Sequence, residues 1–256
     1  MTPQELAWNL NTRRIGRTIH AYATTASTME LAHQLAAAGA PDGTVVVAES
    51  QSKGRGRLGR FWSSPKGKGI YLSILLRPEL SIEQVPLLTL MAAVAAARAV
   101  ERQTALNPQI KWPNDLLIEE RKIAGILTEL NAELNRVHYA VLGIGLNVNG
   151  KAADLPEGAA SLAMASGAPV DRLAMARALL QEMDQLYDDC LKEGFAGVLE
   201  AWRGYPGTLG RHVRVTVQGR TIEGQAVELD AGGVLLVRED SGLVTPIAAG
   251  DVLVLR

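Results

Sequence analysis

From Gln51 to Trp62 the chain reads Gln-Ser-Lys-Gly-Arg-Gly-Arg-Leu-Gly-Arg-Phe-Trp, placing Lys53, Arg55, Arg57 and Arg60 among Gly54, Gly56 and Gly59. Seven Lys or Arg fall between Lys53 and Arg77, and no Asp or Glu lies between Glu49 and Glu79. Guanidinium groups converging on pliable backbone are suited to wrapping a phosphate or carboxylate. A solvated basic loop is the ordinary alternative, so the rest of the chain must decide.

A second concentration is Lys111-Trp-Pro-Asn114-Asp115, where Pro113 biases Trp112 towards extended geometry and leaves Asn114 and Asp115 at a strand-to-turn junction. A lysine there can bind phosphate, and a carboxylate can hold a metal or an amine. An Asx turn after a strand is the plainer alternative. Lys122 begins Lys-Ile-Ala-Gly125-Ile-Leu, where a glycine inside a strand marks close approach of a ligand or of another backbone. Gly143-Ile-Gly145-Leu-Asn147 is expected to be a loop at a strand end, with a simple β-turn as its plain alternative.

Several chemistries are excluded by context. Gly54-Arg-Gly56-Arg-Leu-Gly59 matches G-x-G-x-x-G, but Ser63-Ser-Pro65-Lys-Gly67 cannot open the helix that a dinucleotide fold requires. The kinase signatures and the P-loop are absent. His20, His33, His138 and His212 lack metal-ligand spacing, and Cys190 is the single cysteine. That lone thiol also rules out an internal disulfide and fits a reducing, cytoplasmic compartment. Formal net charge is −1 over 256 residues, so the basic loop is a local feature and not the stripe of a nucleic-acid binder. The longest apolar run, Leu87 to Ala97, is shorter than the roughly 20 residues of a membrane span. No secretory signal is visible.

The elements that must position these groups follow in order. A short helix capped by Thr2 precedes a strand over 18–23. Ser27 or Thr28 caps a helix that ends at Gly39, and Thr44–Ala48 and Ile70–Leu76 are strands flanking the basic loop. Ser81 and Gln84 form a capping box before an Ala-rich, nearly all-apolar helix to about Glu101. Strands at 109–112, 116–118, 123–130 and 137–142 precede an amphipathic helix over 171–191 and a shorter one to Trp202. After Gly204-Tyr-Pro-Gly207 helical periodicity gives way to five short β runs with turns that include Gln218-Gly219, which predicts a small barrel. The expected organisation is α+β, with one unit at 1–206 and a second at 207–256.

Taken in order, Ser27-Thr28, Gln51…Gly54-Arg-Gly-Arg-Leu-Gly-Arg60, Lys111-Trp-Pro-Asn-Asp115, Lys122-Ile-Ala-Gly125-Ile-Leu and Gly143-Ile-Gly-Leu-Asn147 resemble the biotin–protein ligases. The resemblance covers nearly the whole chain and departs at Met29, where Asn is common, and at Leu58, where many members have Arg. It implies a mixed sheet flanked by helices, of class II synthetase type, with an SH3-like C-terminal barrel. Only about 20 residues precede the first matching strand, so the ligase form without the DNA-binding domain is expected.

The resemblance also implies a reaction. Biotin and MgATP give biotinyl-5′-AMP, and the acyl group passes to a lysine of a biotin carboxyl carrier protein; ATP, Mg²⁺ and biotin are the small molecules. The first step brings two anions together, a repulsion of about 4 kcal/mol per charge pair at ~4 Å and an effective dielectric near 20, roughly a thousandfold in rate. By position, the expected catalytic groups are Arg57, Lys111, Asp115 and Lys122, with Asp115 orienting or deprotonating the incoming lysine. Expected biotin contacts are Ser27, Thr28, Met29, Gln51, Gly54, Arg55, Gly56, Arg57, Lys122, Gly125 and Gly145. Expected adenylate contacts are Arg57, Arg60, Trp62, Lys111, Asn114, Lys122 and Asn147, with no metal held by protein ligands alone. A homodimer through the main sheet is a further implication, with no DNA or membrane partner. A lipoate or octanoate ligase of similar fold is the alternative enzyme, and a nucleic-acid module using the Arg-Gly loop is the alternative from another class.

Overall fold

A computed structural model describes residues 1–134, 136–217 and 219–255. Gln218 of the expected Gln218-Gly219 turn lies outside the described residues.

The first unit is a seven-stranded sheet in the order β1-β2-β3-β7-β6-β5-β4. Its strands are β1 (Ile19–Tyr22), β2 (Thr44–Ala48), β3 (Gly69–Leu76), β4 (Gln109–Lys111), β5 (Asp115–Ile118), β6 (Arg121–Glu133) and β7 (Arg136–Asn147). β1 and β2 are parallel and every other pairing in this sheet is antiparallel. Six helices accompany the sheets among the described residues: α1 (Pro3–Ala7), α2 (Thr28–Ala37), α3 (Val85–Gln103), α4 (Leu162–Ser166), α5 (Arg172–Glu193) and α6 (Ala196–Gly204).

Alternation along the strands sends successive side chains to opposite faces. Val45, Val47, Ile74, Leu142, Ile144, Ala124 and Ile126 join the large core with α3 and α5. Val46, Leu75 and Val141 point the other way, against Met29, Ala32 and Ala36 of α2. Helix α3 is apolar and long enough to cross a membrane by length and composition, yet two-thirds of its apolar window (67%) is buried inside the protein. It is the central core helix, which explains its lack of a polar face.

The α2 face of the sheet is where the site lies. On β7 the residues following Val141 on that face are Gly143, Gly145 and Asn147. On β6 the same face carries Gly125, Leu127 and Glu129, in register with Gly145, Gly143 and Val141. Side chains therefore vanish from two adjacent strands at one place, and the sheet floor there is bare backbone. The expectation of a loop at 143–147 is corrected here: all of it is strand, paired to β3 and β6. The glycines are there for room above the sheet and not for a turn.

The second unit is a five-stranded antiparallel sheet, ordered β11-β10-β9-β8-β12. It comprises β8 (His212–Val217), β9 (Arg220–Leu229), β10 (Leu235–Arg238), β11 (Val244–Ile247) and β12 (Asp251–Val254). This arrangement is consistent with an SH3-like domain, although among the described residues the edge strands β11 and β12 are not paired to each other and no closed barrel is found. Its apolar residues Val213, Val215, Leu229 and Leu235 merge into the large core. Trp112, buried at 1% exposure, joins the units: its indole N–H donates to the Gly233 carbonyl at 3.1 Å.

Candidate active site

Residues 54–62 form a hairpin: Trp62 N donates to Gly54 O (2.9 Å), Gly56 N to Arg60 O (2.8 Å), and Arg55 bridges Phe61. A tight 3₁₀ turn at Arg57–Gly59 makes its tip, with Leu58 at φ 56° and exposed to solvent. Gly54 stands outside the cavity wall, where a Cβ would lie 2.3 Å from the Trp62 carbonyl oxygen; its smallness lets the hairpin close. The hairpin crosses the α2 face of the sheet and roofs a cavity of about 180 Å³ over the three-glycine floor.

One end of the cavity is neutral. Ser27 sits at the N-cap position of α2, yet its hydroxyl makes no capping bond, correcting the expectation that it caps the helix in the usual way. Its Oγ is buried and finds no hydrogen-bond partner among the described residues. A buried hydroxyl left unpaired costs about 1–3 kcal/mol, a cost that a polar ligand in the cavity would remove. Thr28 is held: its hydroxyl lies 2.8 Å from Ser73 Oγ, and its backbone N–H donates to Gln51 Oε1 at 2.8 Å. Gln51 in turn donates to Ser64 Oγ at 3.0 Å, so its amide braces the wall at both ends. Met29 lies over Gly143, where a Cβ would sit 2.7 Å from its sulfur.

Trp62 forms the middle of the chamber. A Cβ on Gly145 would lie 2.3 Å from its ring, and one on Gly125 would lie 2.9 Å away. The room made by these glycines is thus taken up by the indole as it stands. Lys122 Nζ is 5.6 Å from the ring centroid, within cation–π range. The indole nitrogen is buried without a partner among the described residues.

The other end is charged. Asp115, the first residue of β5, holds Lys122 Nζ at 2.6 Å from Oδ1 and Lys111 Nζ at 3.6 Å from Oδ2. The Lys122 contact is an ion pair whose angle is not that of a hydrogen bond. Lys111 lies behind Asp115 and does not line the cavity. Arg57 reaches in from the hairpin tip, donating to Asn114 Oδ1 at 2.9 Å and to the Gly250 carbonyl at 3.2 Å. Burial lowers the pKa of Arg57 from its usual value, Asp115 opposes that shift, and Arg60 adds to it. It remains a cation, and a partly desolvated cation attracts an arriving anion more strongly than a solvated one does.

Other expected contacts are brought near but are already engaged. Asn114 donates to Ile126 O at 2.9 Å while accepting from Arg57, so it works as a bracket. Asn147 donates to Ala160 O at 3.1 Å. Arg55 is paired with Glu129, and Arg60 with Asp251. Glu129, Asp251, Gly250 and Ser73 were missed. Glu129 was legible as the residue four beyond Gly125 on one strand face. Asp251 was not legible, because 191 residues separate it from Arg60.

Two family models match this chain, the biotin/lipoate A/B protein ligase family over residues 21–147 and the biotin protein ligase C-terminal domain over 208–255. The bifunctional ligase/repressor BirA of Bacillus spizizenii is 38% identical over 247 residues, covering 95% of this chain and 76% of the relative. The biotin–[acetyl-CoA-carboxylase] ligase of Mycobacterium tuberculosis is 34% identical, covering 86% of this chain and 83% of that one. The structure of biotin protein ligase from Aquifex aeolicus in complex with biotin and ATP superposes with a TM-score of 0.80 at 29% identity, covering 94% of this chain and 99% of the other. With its sheet order, three-glycine floor, arginine hairpin and C-terminal sheet alongside these matches, the chain belongs to the biotin protein ligases.

Proposed function

We propose that this chain activates biotin as biotinyl-5′-AMP with ATP and transfers the acyl group to a lysine of a carboxylase carrier domain. The observation that carries this reading is the two-ended cavity: a neutral slot at Ser27, Thr28 and Gly143 runs into a charged end where the Arg57 and Lys122 cations stand with the single Asp115 carboxylate. Biotin has the matching polarity, a neutral ureido head and an anionic tail. Its head binds in the slot, where the unpaired Ser27 hydroxyl supplies a hydrogen bond, and its carboxylate lies at the cationic end.

In the first step a biotin carboxylate oxygen bonds to the α-phosphorus of ATP and the α–β bridging P–O bond breaks, releasing pyrophosphate. Arg57 and Lys122 supply fixed positive charge against the mutual repulsion of the two anions. Lys111, behind Asp115, adds charge towards the polyphosphate. Magnesium enters with the nucleotide as part of the substrate; among the described residues no group of three or more His, Cys, Asp or Glu could hold it alone. In the second step the carrier lysine amine attacks the acyl carbon and AMP leaves. Asp115 orients the amine and takes its proton.

The hairpin roof excludes water, which would otherwise hydrolyse the mixed anhydride. A cytoplasmic location belongs to the same reading, in keeping with the single cysteine, Cys190, which can form no internal disulfide. The test is ATP–pyrophosphate exchange with biotin or lipoate as the sole acyl substrate. Exchange with biotin alone is expected; exchange with lipoate alone would transfer the assignment to the lipoate branch, and exchange with neither would overturn it.

A further inference from the structure

Glu129 uses both carboxylate oxygens, and neither bond belongs to the core. Oε1 accepts from Arg55 of the hairpin, and Oε2 lies 3.0 Å from His33 Nε2 on α2. The far nitrogen of His33 lies 3.3 Å from the Tyr139 hydroxyl on β7, and its ring is 5.6 Å from the Tyr139 ring. One chain of contacts thus ties the hairpin to α2, β6 and β7, the elements that build the neutral slot. Arg55 is also the residue that bridges Phe61, with Gly56 N bonded to Arg60 O beside it. Holding Arg55 therefore holds both arms of the hairpin, with Arg57 at its tip and Trp62 in its returning arm.

We propose that Glu129 is a positioning residue for the adenylate: acting through Arg55, and oriented by His33, it pins the Gly54–Trp62 hairpin over the cavity. The pair is half-exposed, with side-chain exposures of 48% for Arg55 and 26% for Glu129, so it contributes little to folding. Its effect falls on hairpin opening, because that pair is Arg55's only side-chain bond to the sheet among the described residues. On the far flank, Arg60 is paired with Asp251 of the C-terminal sheet, so the hairpin is held by ion pairs on both sides. The adenylate part of the proposal rests on the biotin-activating reading above; the pinning of the hairpin does not.

The test separates the two. In ligand-free protein, trypsin cleavage within 53–60 should be about fivefold faster in Glu129→Gln than in the parent, with the melting temperature unchanged. In protein loaded with biotin and ATP, release of biotinyl-5′-AMP should quicken by a similar factor, which corresponds to ~1 kcal/mol for an exposed pair. Glu129→Arg should be worse, and combining it with Arg55→Glu should restore slow cleavage and slow release. Unchanged cleavage in Glu129→Gln, or an exchanged pair as defective as Arg55→Glu alone, would overturn the positioning role. Faster cleavage in a protein whose parent forms no adenylate would sink the biotin reading and leave the pinning intact.

Discussion

Replacing Gly145 by alanine tests the glycine floor directly. The new Cβ would lie 2.3 Å from Trp62 Cε2 and 2.4 Å from its Nε1. Ordinary carbon contacts are ~3.5 Å or longer, so the ring must retreat by about 1.2 Å. In a packed core such an intrusion costs about 1–3 kcal/mol. Trp62 is not packed that way: it walls a cavity of about 180 Å³, and its indole nitrogen has no partner to hold it. The ring therefore swings into the cavity, and the penalty moves from folding to ligand binding. Titration calorimetry should give a biotin Kd raised about 10- to 100-fold, which is ~1.4–2.8 kcal/mol, with the melting temperature nearly unchanged. Gly143→Ala meets Met29, whose flexible thioether adapts, so its effect should be smaller. In a Trp62→Ala background the additional penalty of Gly145→Ala should disappear. If it persists, or if Gly145→Ala lowers the melting temperature and leaves Kd untouched, the account of the floor is wrong.

Other outcomes follow from single contacts. Arg57→Gly loses donors to Asn114 and Gly250 and the fixed charge at the junction, so adenylate trapped on the protein should leak at least about tenfold faster in gel filtration, without loss of stability. Asp184 accepts from the backbone N–H groups of Arg13, Arg14 and Ile15 at 2.7–2.8 Å; Asp184→Ala should cost about 2–4 kcal/mol in urea unfolding, with substrate affinity retained. For Glu49, burial is the largest influence and raises its pKa, but bonds from the Met1 ammonium and Arg172 outweigh it, so the folded value lies below the ordinary 4.5. Its stabilising contribution is present above the unfolded pKa and is lost as pH falls through the folded one. Glu49→Gln should therefore flatten the acid limb of a stability curve as pH falls below the ordinary 4.5.

The strands flanking the hairpin, the buried α3 and the five C-terminal strands were readable because period and capping residues act locally. Gly143 and Gly145 misled because glycine pairs signal turns in a single sequence. Only the partner strand's Gly125, brought opposite Gly145 by a register that no local pattern encodes, shows them to be floor. The same limit applies to charge. The run from Lys53 to Arg60 is conspicuous, and its local excess of positive charge is read from composition alone, but which arginine is left without a carboxylate partner could not be. That depends on the carboxylates to which folding brings each one. Arg55 and Arg60 are met by Glu129 and Asp251, whereas Arg57 reaches only neutral acceptors among the described residues. Its charge is thus the least compensated of the three at the cavity, since the nearby Asp115 is already engaged by Lys122 and Lys111. The hairpin accordingly divides its charges: the outer arginines are neutralised by carboxylates, and the tip arginine is left with amide and carbonyl oxygens.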